Sequence, residues 1–142
     1  TVTASATNTV QSNLKKSFFA IPFNTSQNIP FTIGGLFPLS VNGTASTVGV
    51  QLAEAFKCSI NFVNNNQGVI RNITLLYSIQ NSDLNQNDAF NQALLLERRG
   101  VFAVVGPQSD VQVVPVANLY NTANTPLVSY GAGSFNLGNS TI

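Results

Sequence analysis

The hydrophobic positions of this chain change their pattern near residue 29. Residues 1–28 are rich in Thr, Ser and Asn and show no sustained period, which predicts a leader or linker. From residue 29 onward, short continuous apolar runs alternate with segments of helical period, as in a domain built from strands and helices. The pattern therefore predicts one folded unit over residues 29–142.

Four apolar runs predict buried strands. They are FTIGGLF, NITLLYSIQ, VFAVV and PLVSY, which begin at Phe31, Asn72, Val101 and Pro126. Each is a nearly continuous apolar run and not an apolar–polar alternation, as expected for a parallel sheet covered by helices on both faces.

Three helices are predicted between these strands. The first spans Thr47 to Asn64, the second is closed by Gly100, and the third contains Pro115, which either kinks it or marks its start. The residues at helical spacing are Val48, Leu52, Ala55, Phe56, Ser59, Phe62 and Val63, then Phe90, Ala93, Leu94 and Glu97, and then Val113, Val114, Val116, Ala117 and Tyr120.

The order of elements, βαβαβαβ with short connections, predicts an α/β fold. Such a chain forms a parallel, doubly wound, Rossmann-like sheet with right-handed crossovers. Ligands bind beyond the carboxyl ends of the strands in sheets of this kind. Three segments are predicted to lie there: GLFPLS, GPQSD and YGAGS.

Composition narrows the possible functions. Charged residues make up only 8% of the chain and the net charge is +1, with no basic stripe, so we expect no nucleic-acid partner. The chain has no His, which removes the commonest general base and metal ligand. No G-x-S-x-G elbow and no P-loop is present, and GAGSFN lacks the third Gly of a dinucleotide fingerprint. We therefore expect a protein that is not an enzyme and holds no cofactor or metal.

The sequence also predicts the environment of three individual residues. Cys58 is the sole cysteine and is expected to be a small core residue, the alternative being a bridge to a cysteine beyond this segment. Glu54 and Glu97 are expected to be solvated helix residues.

Four Asn-x-Ser/Thr sequons suggest a secreted, glycosylated surface, although an Asn-rich chain produces about three by chance. They lie at Asn24, Asn42, Asn72 and Asn139.

The segments at the strand ends admit two interpretations. In the first, Ser109 or Asp110 caps the third helix and YGAGS is an ordinary turn. In the second, the free amides of that helix and the Ser109 hydroxyl bind a polar group, while Asp110 favours a cation or a hydroxyl-bearing ligand. Gly131 and Gly133 then allow close backbone approach, and Tyr130 either packs over the ligand or completes the core.

The ordered set IGGLFPLS, LAEAF, INFVNNN, NITLLYSIQNSD, RRGVFAVVGPQSD, PVANLY and TPLVSYGAGSFNL resembles one family. It is similar to the extracellular ligand-binding region shared by natriuretic-peptide-type receptors, metabotropic glutamate and γ-aminobutyrate receptors, and bacterial branched-chain amino-acid binding proteins. The resemblance covers residues 31–142. It implies a type I periplasmic-binding, or Venus-flytrap, fold of two lobes, of which residues 29–142 form the N-terminal part of lobe 1.

The resemblance also implies the site. The family's Ser that holds a ligand carboxylate corresponds to Asp110, its second hydroxyl-bearing residue corresponds to Gly133, and a further Ser of glutamate-type members corresponds to Gly131. The ligand-binding residues implied are Ser109, Asp110, Tyr130, Gly131, Ala132, Gly133 and Ser134. The cysteine that many members carry after the second strand is replaced near Asp83.

The function implied is that of a membrane-receptor ectodomain resembling class C G-protein-coupled receptors. It would bind a small, amino-acid-like or other polar molecule between lobes, signal by cleft closure, and form a dimer at the extracellular face of the plasma membrane. The remainder of lobe 1 and all of lobe 2 would come from outside this sequence. The alternatives are a soluble solute-binding protein that feeds a transporter, the ectodomain of a receptor guanylyl cyclase, and a doubly wound enzyme whose catalytic segment lies downstream.

Overall fold

The computed structural model describes residues 28–66 and 68–133. The strands are β1 (Ile29–Phe37), β2 (Ser40–Val41), β3 (Thr44–Ala45), β4 (Ile73–Asn81), β5 (Ala103–Val105) and β6 (Leu127–Val128), and the helices are α1 (Thr47–Asn65), α2 (Gln86–Arg98) and α3 (Asp110–Ala123). Of the sequence-based predictions, the leader up to residue 27, Ser134, Asn24 and Asn139 lie outside the described residues.

Four strands form one parallel sheet in the order β4-β1-β5-β6. The central strand β1 pairs with β4 along its whole length and with β5 over three residues, so that Ile33 lies opposite both Tyr77 and Ala103. The predicted α/β fold with a parallel sheet and interleaved helices is confirmed. The last strand is shorter than the run PLVSY suggested, because only Leu127 and Val128 pair with β5.

The hydrophobic core lies on both faces of this sheet. Consecutive residues of β1 point to opposite faces, and the fully buried Leu36 packs with α2 and α3 while Phe37 packs with α1. The residues on the first face are Leu36, Ala89, Ala93, Leu96, Val101, Val104, Val116 and Tyr120, and those on the second are Phe37, Ala53, Phe56 and Ile60. The sheet is therefore doubly wound, with one helix on one face and two on the other.

The buried face of α1 differs from the predicted one. Its buried residues are Gly49, Ala53, Phe56 and Ile60, whereas Val48 and Phe62 are 57% and 65% exposed. The helix turns toward the sheet at Gly49, where a Cβ would overlap the carbonyl oxygen of Pro38. That rotation also leaves Cys58 exposed, so its prediction as a core residue was wrong.

A short antiparallel hairpin precedes α1, in a segment predicted only to supply turn and cap residues. Ser40–Val41 pairs with Thr44–Ala45 around the Asn42-Gly43 turn, in which both central residues have positive φ, 50° and 76°. Asn-Gly is the preferred pair for such a turn because both positions tolerate left-handed backbone. Ser46 then caps α1, its hydroxyl oxygen accepting from the amide of Gly49 at 3.1 Å.

The third helix begins before Pro115. Because α3 starts at Asp110, Pro115 lies in its second turn and does not mark its start. The helix ends at Ala123 and is capped by Asn124, which takes the left-handed conformation with φ of 54°, as residues at many helix C-termini do.

The two glutamates of the helices have different environments. Glu54 pairs with Lys57 on the exposed face of α1 at 2.6 Å, as expected for a solvated residue. Glu97 instead accepts a hydrogen bond from the Thr125 hydroxyl at 2.9 Å in a half-buried position, so the prediction that it is merely solvated was wrong.

Candidate ligand-binding site

The candidate site lies at the edge of the sheet where the parallel strands end, here called the carboxyl edge. Two segments meet there: the corner, residues 106–110, which follows β5, and the bend, residues 129–133, which follows β6. Because β5 and β6 are neighbours in the sheet, their ends lie side by side.

The corner is held against the end of β1. Gly106 has a φ of 107°, a value that L side chains rarely adopt. A Cβ at this position would overlap the carbonyl oxygen of Leu36, and the Gly106 amide donates to the carbonyl of Val128 at 2.8 Å. Because of this φ and this overlap, only glycine fits the close approach to Leu36. The peptide bond that follows, Gly106–Pro107, is cis.

The corner leads into the N-terminus of α3. Ser109 occupies the N-cap position, and its carbonyl accepts from the amides of Gln112 and Val113 at 3.1 and 3.0 Å. Its side chain makes no capping hydrogen bond, so the expected cap by Ser109 or Asp110 is not formed. The helix thus leaves the amides of Asp110 and Val111 without an intrahelical partner.

Three contacts join the bend to the corner. The Gly133 amide donates to the Asp110 carboxylate at 2.7 Å, and the Ser129 hydroxyl donates to the Pro107 carbonyl at 2.8 Å. A Cβ at Gly131 would lie 2.9 Å from the Gln108 carbonyl oxygen. Two of the three segments that the sequence places at strand ends are therefore in direct contact, with Ala132 half-buried between Gly131 and Gly133.

Tyr130 projects from the bend over the core. Its ring lies 5.8 Å from that of Phe37, which in turn lies 5.4 Å from Phe56. Burial raises the pKa of Tyr130 from its ordinary value of 10.0 to about 12, so its hydroxyl stays uncharged even in moderately alkaline solution. Because the residue remains 38% exposed, it both covers the core and presents a ring and a hydroxyl to the outside.

Comparison with known families decides the relationship. The model of the receptor family ligand-binding region matches residues 51–141. The chain belongs to this receptor family. The matched stretch contains most of α1, all of α2 and α3, and both the corner and the bend. No curated protein matches the chain.

A second group of polar residues lies at the carboxyl edge and was not predicted from the sequence. Asn81 ends β4, where its Nδ2 donates to the Ser40 hydroxyl at 2.7 Å and its Oδ1 accepts from the Ser40 amide at 3.2 Å. The amide of Asp83 donates to the same Oδ1 at 3.1 Å. The available signal was the run of polar residues Asn81, Ser82 and Asp83 where β4 ends. A few residues further on, Asn85 caps α2, its side chain accepting from the Asn87 amide at 2.9 Å.

Two of the four sequons lie within the described residues, at opposite edges of the sheet. Asn42 lies in the hairpin turn near the carboxyl edge and Asn72 lies just before β4 at the amino edge. Both are exposed and have positive φ, 50° and 59°. Both side chains are thus accessible at turns, as glycan acceptors in secreted proteins are.

Within residues 28–66 and 68–133, no three His, Cys, Asp or Glu side chains are grouped so that they could hold a metal ion. None of the helices in this part of the chain is long and apolar enough to cross a membrane.

Proposed function

We propose that this chain supplies the first-lobe wall of a cleft in which an extracellular receptor binds a small polar ligand. The observation that carries the proposal is the 2.7 Å hydrogen bond between the Gly133 amide and the Asp110 carboxylate. It joins the corner to the bend, the two segments that the resemblance assigns to the ligand. Family membership supports ligand binding as the general role.

The groups at this edge favour a ligand that carries hydrogen-bond donors. The exposed carboxylate of Asp110 takes the place of the hydroxyl with which amino-acid-binding members hold a carboxylate, and it repels an anion. Three of the five acids, Asp83, Asp88 and Asp110, lie at or near the carboxyl edge, whereas Arg71, Arg98 and Arg99 lie near the amino ends of β4 and β5. This separation of charge steers cationic ligands toward the carboxyl edge.

The other groups at this edge indicate which chemical groups the ligand carries. Tyr130 offers a ring face for an apolar or cationic portion, and the amides of Asp110 and Val111 at the start of α3 offer donors for a carbonyl or hydroxyl oxygen. A small molecule with an ammonium or hydroxyl group and a compact apolar part matches these groups. An α-amino acid held by its carboxylate alone does not.

The proposed mechanism is closure of the cleft. The ligand contacts this lobe first, and its additional contacts with the second lobe stabilise the closed state. In a dimeric receptor of the class C type, closure reorients the two protomers and passes the signal to a membrane-spanning segment. Asp110, Tyr130 and the backbone of the bend act as the fixed half of the clamp.

Asp110→Ala in the full-length protein tests the proposal. We expect ligand affinity to fall about 10- to 150-fold, because a charged hydrogen bond contributes about 1.5–3 kcal/mol, with a much smaller change in stability. The matched control is Asp88→Ala, since both residues are acids in the first turn of a helix and both substitutions remove a similar dipole interaction.

The ligand is first found by thermal shift with a panel of primary amines, amino acids and small polyols, and affinity is then measured by calorimetry. Equal affinities of the wild type and Asp110→Ala for every compound that binds would contradict the role given to this carboxylate. Asp110→Asn separates charge from shape, because it keeps an acceptor oxygen and loses the negative charge.

A further inference from the structure

Two buried oxygen atoms beneath the carboxyl edge have no hydrogen-bond partner among the described residues. They are the hydroxyl of Ser82, just after β4, and Oε1 of Gln112, in the first turn of α3. Both residues are 0% exposed. Buried polar side-chain atoms are nearly always paired with protein or with ordered water, so each oxygen indicates a partner of another kind.

The orientation of the Gln112 amide is fixed by its nitrogen. Nε2 donates to the Ser82 carbonyl at 2.9 Å and to the Asn85 carbonyl at 3.1 Å. Exchanging the nitrogen and oxygen would place Oε1 against two acceptors, so the present orientation is the one that the neighbours require. Oε1 therefore needs a donor.

The two oxygens belong to one buried region, because Gln112 bonds directly to the carbonyl of Ser82 itself. The group that completes both must donate to Oε1 and also bond to a hydroxyl. Water has two donors and two acceptor sites, and it commonly satisfies such buried groups. The hydrogen bonds that Gln112 makes among the described residues go to backbone carbonyls and not to charged side chains, so a neutral molecule such as water suits the position.

We propose that an ordered water molecule lies between Ser82 and Gln112, donating to Gln112 Oε1 and hydrogen-bonding to the Ser82 hydroxyl. This hydration site completes a buried connection between three segments. Gln112 holds the start of α3, Asn85 begins α2, and the Ser82 amide donates to the carbonyl of Phe37 at the end of β1 at 2.8 Å. The connection thus holds the helix turn that carries Asp110, and it exists whether or not Asp110 binds a ligand.

A crystal structure of the full-length protein at high resolution tests the site directly. We expect an electron-density peak at about 3 Å from both Ser82 Oγ and Gln112 Oε1, the usual hydrogen-bond distance. The proposal is overturned if no peak is present between the two oxygens, whether they then bond to each other, to another protein group or to nothing.

A pair of serine variants gives an independent test, which depends on whether the unfolding equilibrium constant rises or falls. Ser82→Ala removes a hydroxyl that is paired with water, so we expect the unfolding equilibrium constant of the full-length protein to rise about 2- to 10-fold, the usual effect of losing one hydrogen bond. Ser129→Ala is the control, since its hydroxyl has a protein acceptor at 2.8 Å. An unchanged or lowered constant for Ser82→Ala would show that the hydroxyl has no partner to lose. If Ser82→Ala does not fold, the crystal structure of the unaltered protein still decides.

Discussion

Replacing Gly106 by Ala is expected to destabilise the protein strongly, because the added methyl group has no room at the carboxyl edge. The added Cβ would overlap the carbonyl oxygen of Leu36 and lie 3.2 Å from the Leu36 Cβ. Leu36 is fully buried in the central strand, so it has no room to move aside. The backbone of Gly106 would also keep a φ of 107°, which Ala adopts only with strain.

The size of the effect follows from these two contributions. A strained backbone conformation costs about 1–3 kcal/mol, and forcing an extra carbon into a packed core costs about 1–3 kcal/mol. Together they give about 2–6 kcal/mol, a large part of the roughly 5–15 kcal/mol that stabilises a typical domain. Urea unfolding of the full-length protein, followed by circular dichroism, measures the loss.

The matched control is Gly43→Ala. Gly43 also has a positive φ, 76°, but a Cβ there meets nothing within 4 Å, so only the strain remains and we expect a loss of about 1 kcal/mol. If Gly106→Ala loses no more stability than Gly43→Ala, the close contact between the corner and β1 is not what holds the corner in place.

Two further predictions concern the free edge of the sheet and the bend. Asn64→Leu should cost about 1–3 kcal/mol, because the Asn64 side chain bonds to both the amide and the carbonyl of Leu75 at 2.8 Å; the neighbouring exposed Asn65→Leu is the control, and equal unfolding midpoints would refute the role of Asn64. Tyr130 should ionise near pH 12 and not near its ordinary value of 10.0; since its raised pKa favours the neutral form in the folded state, its contribution to stability is complete below about pH 10 and is lost as the pH rises toward 12. Ultraviolet titration of the wild type against Tyr130→Phe measures this ionisation, and a difference spectrum with a midpoint near 10 would contradict it.

The fold was predictable because its signals are local and repeated. Each apolar run between helical segments became a strand of one parallel sheet, since the alternation of strand and helix leaves few other topologies. The buried face of α1 was not predictable, because small residues such as Gly49 and Ala53 carry little hydropathy but allow close packing. Exposed Val48 and Phe62 dominated the helical pattern instead.

The position of the candidate site could be predicted from the sequence, but the contacts within it could not. Parallel strands put their carboxyl ends at one edge, so the corner and the bend could be expected to meet there. The bond from Gly133 to Asp110 depends on the path of the bend, which no spacing in the sequence encodes. Burial of Gln112 was also hidden, because a polar residue in the first turn of a helix is ordinarily exposed.

Hydrogen–deuterium exchange of the full-length protein tests the central claim most directly. A compound from the amine, amino-acid and polyol panel that raises the melting temperature is added at saturation, and exchange is compared with the free protein. We predict slower exchange at residues 108–113 and 129–133, the start of α3 and the bend. Unchanged exchange in both segments, with protection only near residues 68–74 at the amino edge, would contradict the assignment of the carboxyl edge as the ligand-binding face.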